Sequence, residues 1–128
     1  MVKPKKRKVL VIDDDRPLAQ LFASHLREAG FVSLIGEDAM QGFMYAQREL
    51  PDLILLDVMM PAGGGMLVFD RLAKNAKTAG IPVVVITAST DPKVEADSTA
   101  RGARAVLHKP IDKETLLKEV AGVLDSPP

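Results

Sequence analysis

The 128-residue sequence contains no cysteine and no tryptophan, and only 4% of its residues are aromatic, so any core must be mainly aliphatic. Without cysteine the chain has no disulfide and no thiolate for catalysis or metal binding, which favours a cytoplasmic location. A surplus of one charge sign is also missing, because 17 Lys and Arg residues balance 17 Asp and Glu residues. No general attraction to nucleic acid or to an anionic membrane is therefore expected. No apolar run approaches the roughly 20 residues that a membrane-spanning helix requires.

Short apolar runs alternate with segments of helical periodicity. Runs such as Val9–Ile12 and Leu53–Leu56 are too short for helices and are typical of strands buried on both faces. Five such strands alternating with helices predict an α/β fold, a doubly wound parallel sheet with helices on both faces. We expect one domain over residues 7–125, a basic tail at residues 1–6, and a C-terminal tail or linker start at residues 126–128.

Polar residues follow four of the five predicted strands. Asp13 and Asp14 follow the first, Asp57 the third, Thr87 the fourth and Lys109 the fifth. The carboxyl ends of parallel strands share one edge, where ligands bind, so these side chains are expected to meet. Three carboxylates there would raise each other's pKa unless a cation neutralised them, and an all-oxygen ligand set favours Mg²⁺ over Ca²⁺. Lys109 and Thr87 add a positive charge and a hydroxyl donor, which indicates phosphoryl chemistry.

Four motifs together resemble the signature of response-regulator receiver domains of two-component systems: Asp13-Asp14, Asp57 to Pro61, Thr87-Ala88 and Lys109-Pro110. Their order and spacing make the combination specific, and the resemblance extends from about Arg7 to Leu124. It implies a flavodoxin-like fold with strand order 2-1-3-4-5. The second predicted strand ends in Gly36 without a polar side chain, which fits its outer position in that order.

The resemblance also implies the residues that bind a metal. Asp57 is then the phosphoacceptor and a ligand of Mg²⁺, and Asp14 is a direct ligand. Asp13 holds the metal through water, and the backbone carbonyl of Met59 completes the protein ligands. The expected chemistry is an aspartyl phosphate formed in a phosphorelay.

The remaining motif residues are implied to hold the phosphate. Lys109 pairs with the carboxylate and then with the phosphate, while the Thr87 hydroxyl and the Ala88 backbone amide bind phosphate oxygens. The implied partners are a histidine kinase or phosphotransfer protein as donor and a downstream protein of unknown identity, with neither nucleic acid nor a membrane. Such a domain is a phosphoacceptor switch, and not an enzyme in the usual sense.

Three positions depart from the family pattern, and one is Ile111, which replaces the frequent phenylalanine after the Lys-Pro pair. Val106 stands where relatives usually have a tyrosine or phenylalanine that reports the movement of Thr87 to the outer face. The switch residues are therefore expected to be Thr87 and Val106, without an aromatic relay. Gly64 stands where relatives often have an acidic residue or serine that caps the following helix, and a glycine cap costs only a few tenths of a kcal/mol.

Features outside the motifs suggest no further site. The fourth predicted helix, from about Pro92 to Arg101, has a thin apolar stripe of Val94, Ala96 and Ala100, which indicates low local stability. The histidines, His25 and His108, are not at metal-ligand spacing, and we interpret both as surface or boundary residues.

Two alternative functions stay open at this stage. A small phosphatase of the haloacid dehalogenase type would use Asp13, in the Asp-x-Asp of residues 13–15, as its nucleophile. Thr87 and Lys109 would supply its later motifs, but the late acidic pair of such enzymes is missing and Asp57 has no role in it. The other alternative is a receiver-fold binding module that is not phosphorylated. The complete set of acceptor residues weighs against it, but Val106 keeps it open.

Overall fold

The computed structural model describes residues 6–126, so residues 1–5 and 127–128 of the two predicted tails lie outside it. Strands and helices alternate in the order β1 (Lys8–Ile12), α1 (Arg16–Glu28), β2 (Val32–Gly36), α2 (Ala39–Glu49), β3 (Leu53–Asp57), a 3₁₀ turn (Pro61–Gly63), α3 (Gly64–Lys74), β4 (Val83–Thr87), α4 (Pro92–Ala100), β5 (Ala105–His108) and α5 (Lys113–Asp125). Among these helices, none is long and apolar enough to cross a membrane.

The five strands form one parallel sheet in the order β2-β1-β3-β4-β5. This confirms the predicted fold class and places β2, which ends in Gly36, at an outer edge. The register sets the strand ends side by side: Ile12 lies opposite Leu56, Asp57 opposite Ile86, and Thr87 opposite His108. The residues that follow β1, β3, β4 and β5 therefore reach the same edge of the sheet.

Two apolar layers cover the sheet. Helices α2 and α3, with Val94 of α4, pack on one face, and α1 and α5 pack on the other. The three central strands are buried on both faces, which explains their continuous apolar runs. Burial of each Leu, Ile or Val side chain contributes about 1.5–3 kcal/mol. These central strands therefore provide a stable base for the residues at their carboxyl ends.

Most helices begin at an aspartate whose carboxylate accepts a backbone N–H of the first turn. Asp15 accepts from Leu18 at 3.1 Å, and Asp112 accepts from Thr115 at 2.7 Å. Helix α3 differs, because its N-cap is Gly63 in the left-handed region at φ 70° and no side chain caps it. The prediction that Gly64 is the cap was wrong by one residue. Glycine adopts this conformation without steric cost, which explains why the turn contains it.

Helix α4 has few buried residues. Val94 is partly buried against the α2–α3 layer, whereas Ala96 and Ala100 are exposed. The predicted apolar stripe was wrong at these two alanines. The fully buried position is Ser98, whose hydroxyl donates to the carbonyl of Val94 at 2.7 Å. A hydroxyl satisfied within its own helix is inexpensive to bury, but it adds little apolar contact to hold α4 against the sheet.

Candidate functional site

An acidic cluster occupies the carboxyl edge of the sheet. Asp13 and Asp14 follow β1, Asp57 ends β3, and one carboxylate oxygen from each lies within 4.8 Å of the others. Asp13 is fully buried and Asp57 is only 5% exposed, whereas Asp14 is exposed. The cluster therefore opens to solvent on the side of Asp14.

Lys109 connects the two buried carboxylates. Its Nζ lies 2.9 Å from Oδ2 of Asp13 and 3.3 Å from Oδ2 of Asp57. Burial raises the pKa of Asp13, and the nearby Asp57 charge adds to this, although hydrogen bonds from Asp15 and Lys109 oppose it. Burial lowers the pKa of Lys109, but its hydrogen bond to Asp13 and the charges of Asp57 and Asp13 outweigh burial and raise it. Lys109 is thus held as a cation between its partners.

The orientation of Asp57 is fixed on both sides. Its Oδ1 accepts the backbone N–H of Met59 at 2.8 Å, and its Oδ2 faces Lys109. Gly65 at the start of α3 packs against the same backbone, because a Cβ there would lie 2.5 Å from the Asp57 carbonyl oxygen and 2.4 Å from the Cα of Val58. A fixed carboxylate in a polar, partly enclosed site is suited to direct attack on a bound electrophile.

The donor set fits a hard divalent cation. Three ionised carboxylates and one ammonium would carry a formal charge of −2, which is unfavourable where two of the carboxylates are buried. All three carboxylates offer oxygen, the ligand that Mg²⁺ prefers. The structure therefore brings together the predicted carboxylate ligands, Asp13, Asp14 and Asp57.

Thr87 ends β4 beside this cluster. It is fully buried, and its Oγ1 accepts the backbone N–H of Ser89 at 3.0 Å. The backbone N–H of Lys109 donates to the Thr87 carbonyl at 2.8 Å, which fixes the ends of β4 and β5 together. Ala88 is exposed at the start of the β4–α4 loop. The two predicted phosphate-binding groups, the Thr87 hydroxyl and the Ala88 amide, thus lie at the end of β4, the strand next to the one that ends in Asp57.

Val106 lies on β5 opposite Val85 and is partly buried against the layer formed by α2 and α3. Its side chain is the aliphatic one that stands where receiver domains usually have an aromatic residue. His108 was predicted to be an ordinary surface or boundary residue, but its ring lies close to both the β4–α4 loop and α4. The only sequence signal was its position directly before Lys109 at the end of a strand.

Comparisons with known proteins agree with this geometry. A family model described as the response regulator receiver domain matches residues 9–121. Protein PilH of Pseudomonas aeruginosa is 33% identical over 117 residues, which cover 91% of this chain and 97% of PilH. The DNA-binding dual master transcriptional regulator RpaA of Synechocystis is 35% identical over 91% of this chain, but this chain spans only 48% of RpaA.

Solved structures show the same architecture. The chemotaxis protein CheY4 of Vibrio cholerae superposes with a TM-score of 0.87 and 29% identity, covering 93% of this chain and 99% of that chain. A receiver domain protein from Methanospirillum hungatei has a TM-score of 0.88 and 23% identity, covering 94% of this chain and 95% of that chain, and at this identity it shows the shared fold alone.

Proposed function

Because this chain belongs to the response-regulator receiver family, we propose that Asp57 accepts a phosphoryl group in a phosphorelay and that a partner-binding surface changes in response. The observation that carries the proposal is the environment of Asp57. It is the nearly buried carboxylate whose two oxygens are separately oriented, by the Met59 N–H and by Lys109. Asp13 and Asp14 lie beside it as further ligands for a cation.

The reaction requires positioning more than proton transfer. An ionised Asp57 carboxylate attacks phosphorus, an O–P bond forms, and the P–N bond to the donor histidine breaks. The electron pair of that bond remains on the leaving imidazole. An ionised carboxylate has no proton to remove, so the site contributes alignment and charge neutralisation. Lys109 then pairs with phosphate oxygens, and the Thr87 hydroxyl and Ala88 amide bind others.

A Mg²⁺ ion fits the donor set of this site. We propose that Asp14, Asp57 and the Met59 carbonyl hold it directly and that Asp13 holds it through water. When bound, the ion supplies positive charge that offsets the carboxylates and the incoming phosphoryl oxygens.

The proposed partners follow from the family. Receiver domains of two-component systems are phosphorylated by histidine kinases or phosphotransfer proteins, and we propose one of these as the donor, with a protein as the downstream target. RpaA and PhoB of Escherichia coli are named as regulators of transcription, but this chain spans only about half of each. We propose neither nucleic-acid binding nor membrane binding for it, because its 17 Lys and Arg residues balance its 17 Asp and Glu residues. The proposal includes a cytoplasmic location, a receiver domain over residues 7–125, and a switch role without turnover of an external substrate.

A small phosphodonor tests this function directly. Acetyl phosphate with Mg²⁺ should add one acid-stable, base-labile phosphoryl group, and intact-mass spectrometry should show its absence in Asp57→Ala and in a sample containing EDTA. Labelling that persists in Asp57→Ala but is lost in Asp13→Ala would instead support the phosphatase alternative. A parent protein that is never labelled would support the binding module.

A further inference from the structure

His108 lies between the two groups that are proposed to bind phosphate from β4 and β5. It is the last residue of β5, it pairs with Thr87 across the sheet, and it directly precedes Lys109. Its backbone is therefore fixed to the site, while its side chain is 48% exposed and extends over the β4–α4 loop. The ring is thus placed to act on this loop without entering the acidic cluster.

The two ring nitrogens contact two different segments. Nδ1 lies 3.3 Å from the carbonyl oxygen of Ser89, in the loop, and Nε2 lies 3.6 Å from the carboxylate of Glu95, in the first turn of α4. A carbonyl oxygen only accepts hydrogen bonds, so the contact with Ser89 requires the form of His108 in which Nδ1 carries a hydrogen. His108 therefore connects β5 to the loop. Its contact with Glu95 joins it to α4 as well when Nε2 is also protonated, because the carboxylate only accepts.

Ser89 connects this bridge to Thr87. The N–H of Ser89 donates to the Thr87 hydroxyl at 3.0 Å, and its own hydroxyl accepts the N–H of Asp91, the N-cap of α4, at 3.1 Å. Any displacement of the Thr87 hydroxyl toward a phosphoryl group on Asp57 therefore disturbs the N–H side of Ser89. The same residue is held at its carbonyl by His108.

Resting on the proposed function, we propose that His108 is a positioning residue that holds the Thr87–Asp91 loop and the start of α4 in the unphosphorylated arrangement. The Ser89 contact must be released when Thr87 moves toward phosphate. A contact that forms in only one of two states stabilises that state, and its free energy must be overcome to reach the other state. Ser89 also holds Asp91, the N-cap of α4, so the bridge reaches the helix with few buried contacts. Release of the bridge therefore changes the outer surface without an aromatic at Val106.

Beryllofluoride with Mg²⁺ is the probe for the phosphorylated state. His108→Leu removes both contacts at an exposed strand end, and we expect it to bind beryllofluoride about two- to fivefold more tightly than the parent, as loss of one exposed polar bridge implies. His108→Asn places an amide donor near the Nδ1 position and should restore most of the parent affinity. Lys113→Met breaks the exposed ion pair with Glu28 between α5 and α1, remote from the loop, and should leave the affinity unchanged.

Amide chemical shifts provide a second readout that a purely structural role would not change. In His108→Leu without beryllofluoride, the signals of Ser89 and of residues 92–96 should move toward their positions in the beryllofluoride-bound parent. Equal affinity in the parent and His108→Leu, or weaker binding in His108→Leu, would overturn the inference while leaving the proposed function intact. A parent that does not bind beryllofluoride at all would overturn the proposed function, and this inference with it.

Discussion

Asp14→Asn should make the metal-free protein more stable. Asp14 contributes one of three carboxylates whose oxygens lie within 4.8 Å of one another, and Lys109 is their cationic partner. The substitution removes one negative charge and keeps the shape of the side chain. Without a bound cation, the repulsion that Asp14 exerts on Asp13 and Asp57 disappears.

The size of this effect follows from the exposure of Asp14. Two unit charges at this separation repel by about 0.9 kcal/mol when the effective dielectric is close to that of water, as it is for an exposed group. Two neighbouring carboxylates give about 2 kcal/mol, and the Lys109 ammonium offsets part of it. A net gain of about 1 kcal/mol corresponds to a melting temperature about 4 °C higher for a domain of this size.

Thermal melts at pH 7 in low salt with EDTA measure this gain in stability. On titration with Mg²⁺, the parent should then reach a higher melting temperature than Asp14→Asn. A ligand at 100 times its Kd stabilises a folded protein by about 2.7 kcal/mol, so the parent should gain more than a variant that lacks a ligand. Asp15→Asn is the matched control, because it removes a charge from the same turn while asparagine still caps α1. Salt at 1 M should remove most of the difference between parent and Asp14→Asn.

Two results would refute this reasoning. One is an Asp14→Asn protein that melts at or below the parent temperature in EDTA while Asp15→Asn behaves as the parent does. The other is an equal rise in melting temperature for parent and Asp14→Asn on addition of Mg²⁺, which would remove Asp14 from the ligand set.

Three further predictions concern packing, pH and signalling. Gly65→Ala should lower the free energy of unfolding by more than about 1 kcal/mol, because the new methyl meets the backbone of Val58, whereas Gly80→Ala, with nothing within 4 Å, should be nearly neutral in denaturant titrations. Hydrogen bonds from Thr115 lower the pKa of Asp112, so its stabilising effect is fully present above the ordinary value of 3.8 and is lost as pH falls through the lower folded value. Asp112→Ala should therefore melt below the parent at pH 7, and the difference should shrink as the pH is lowered below 3.8. Val106→Ala should retain the amide shift changes of residues 88–102 on beryllofluoride binding, and their loss would show that Val106 itself carries the signal.

Much of this architecture could be predicted because separate sequence signals agree. The apolar runs of β1, β3 and β4 are buried on both faces, and only a parallel sheet covered on both sides accommodates them. Once the strands are parallel, the position of Asp13, Asp57 and Lys109 directly after strands is enough to bring them together. The meeting of these three side chains is a consequence of topology.

The details that failed depend on contacts that a single sequence does not encode. Ser98 can be buried because its hydroxyl donates to the carbonyl of Val94. A prediction from residue polarity alone would place this serine at the surface. Helix α4 also has too few apolar residues for periodicity to define its inner face. The bridge made by His108 requires both the β4–β5 register and the path of the loop, neither of which appears in the residues around it.

Because Gly65 has no side chain, α3 packs tightly against the backbone of the site. The first turn of α3 lies directly against the peptide that follows Asp57, with no room for a methyl group. If Asp57 is phosphorylated as proposed, its backbone has no room to shift toward α3. The opposite side of the site is less constrained, because the β4–α4 loop and α4 are held there by a few polar contacts. Under the proposed function, the close packing at α3 would direct the movement caused by phosphorylation toward α4.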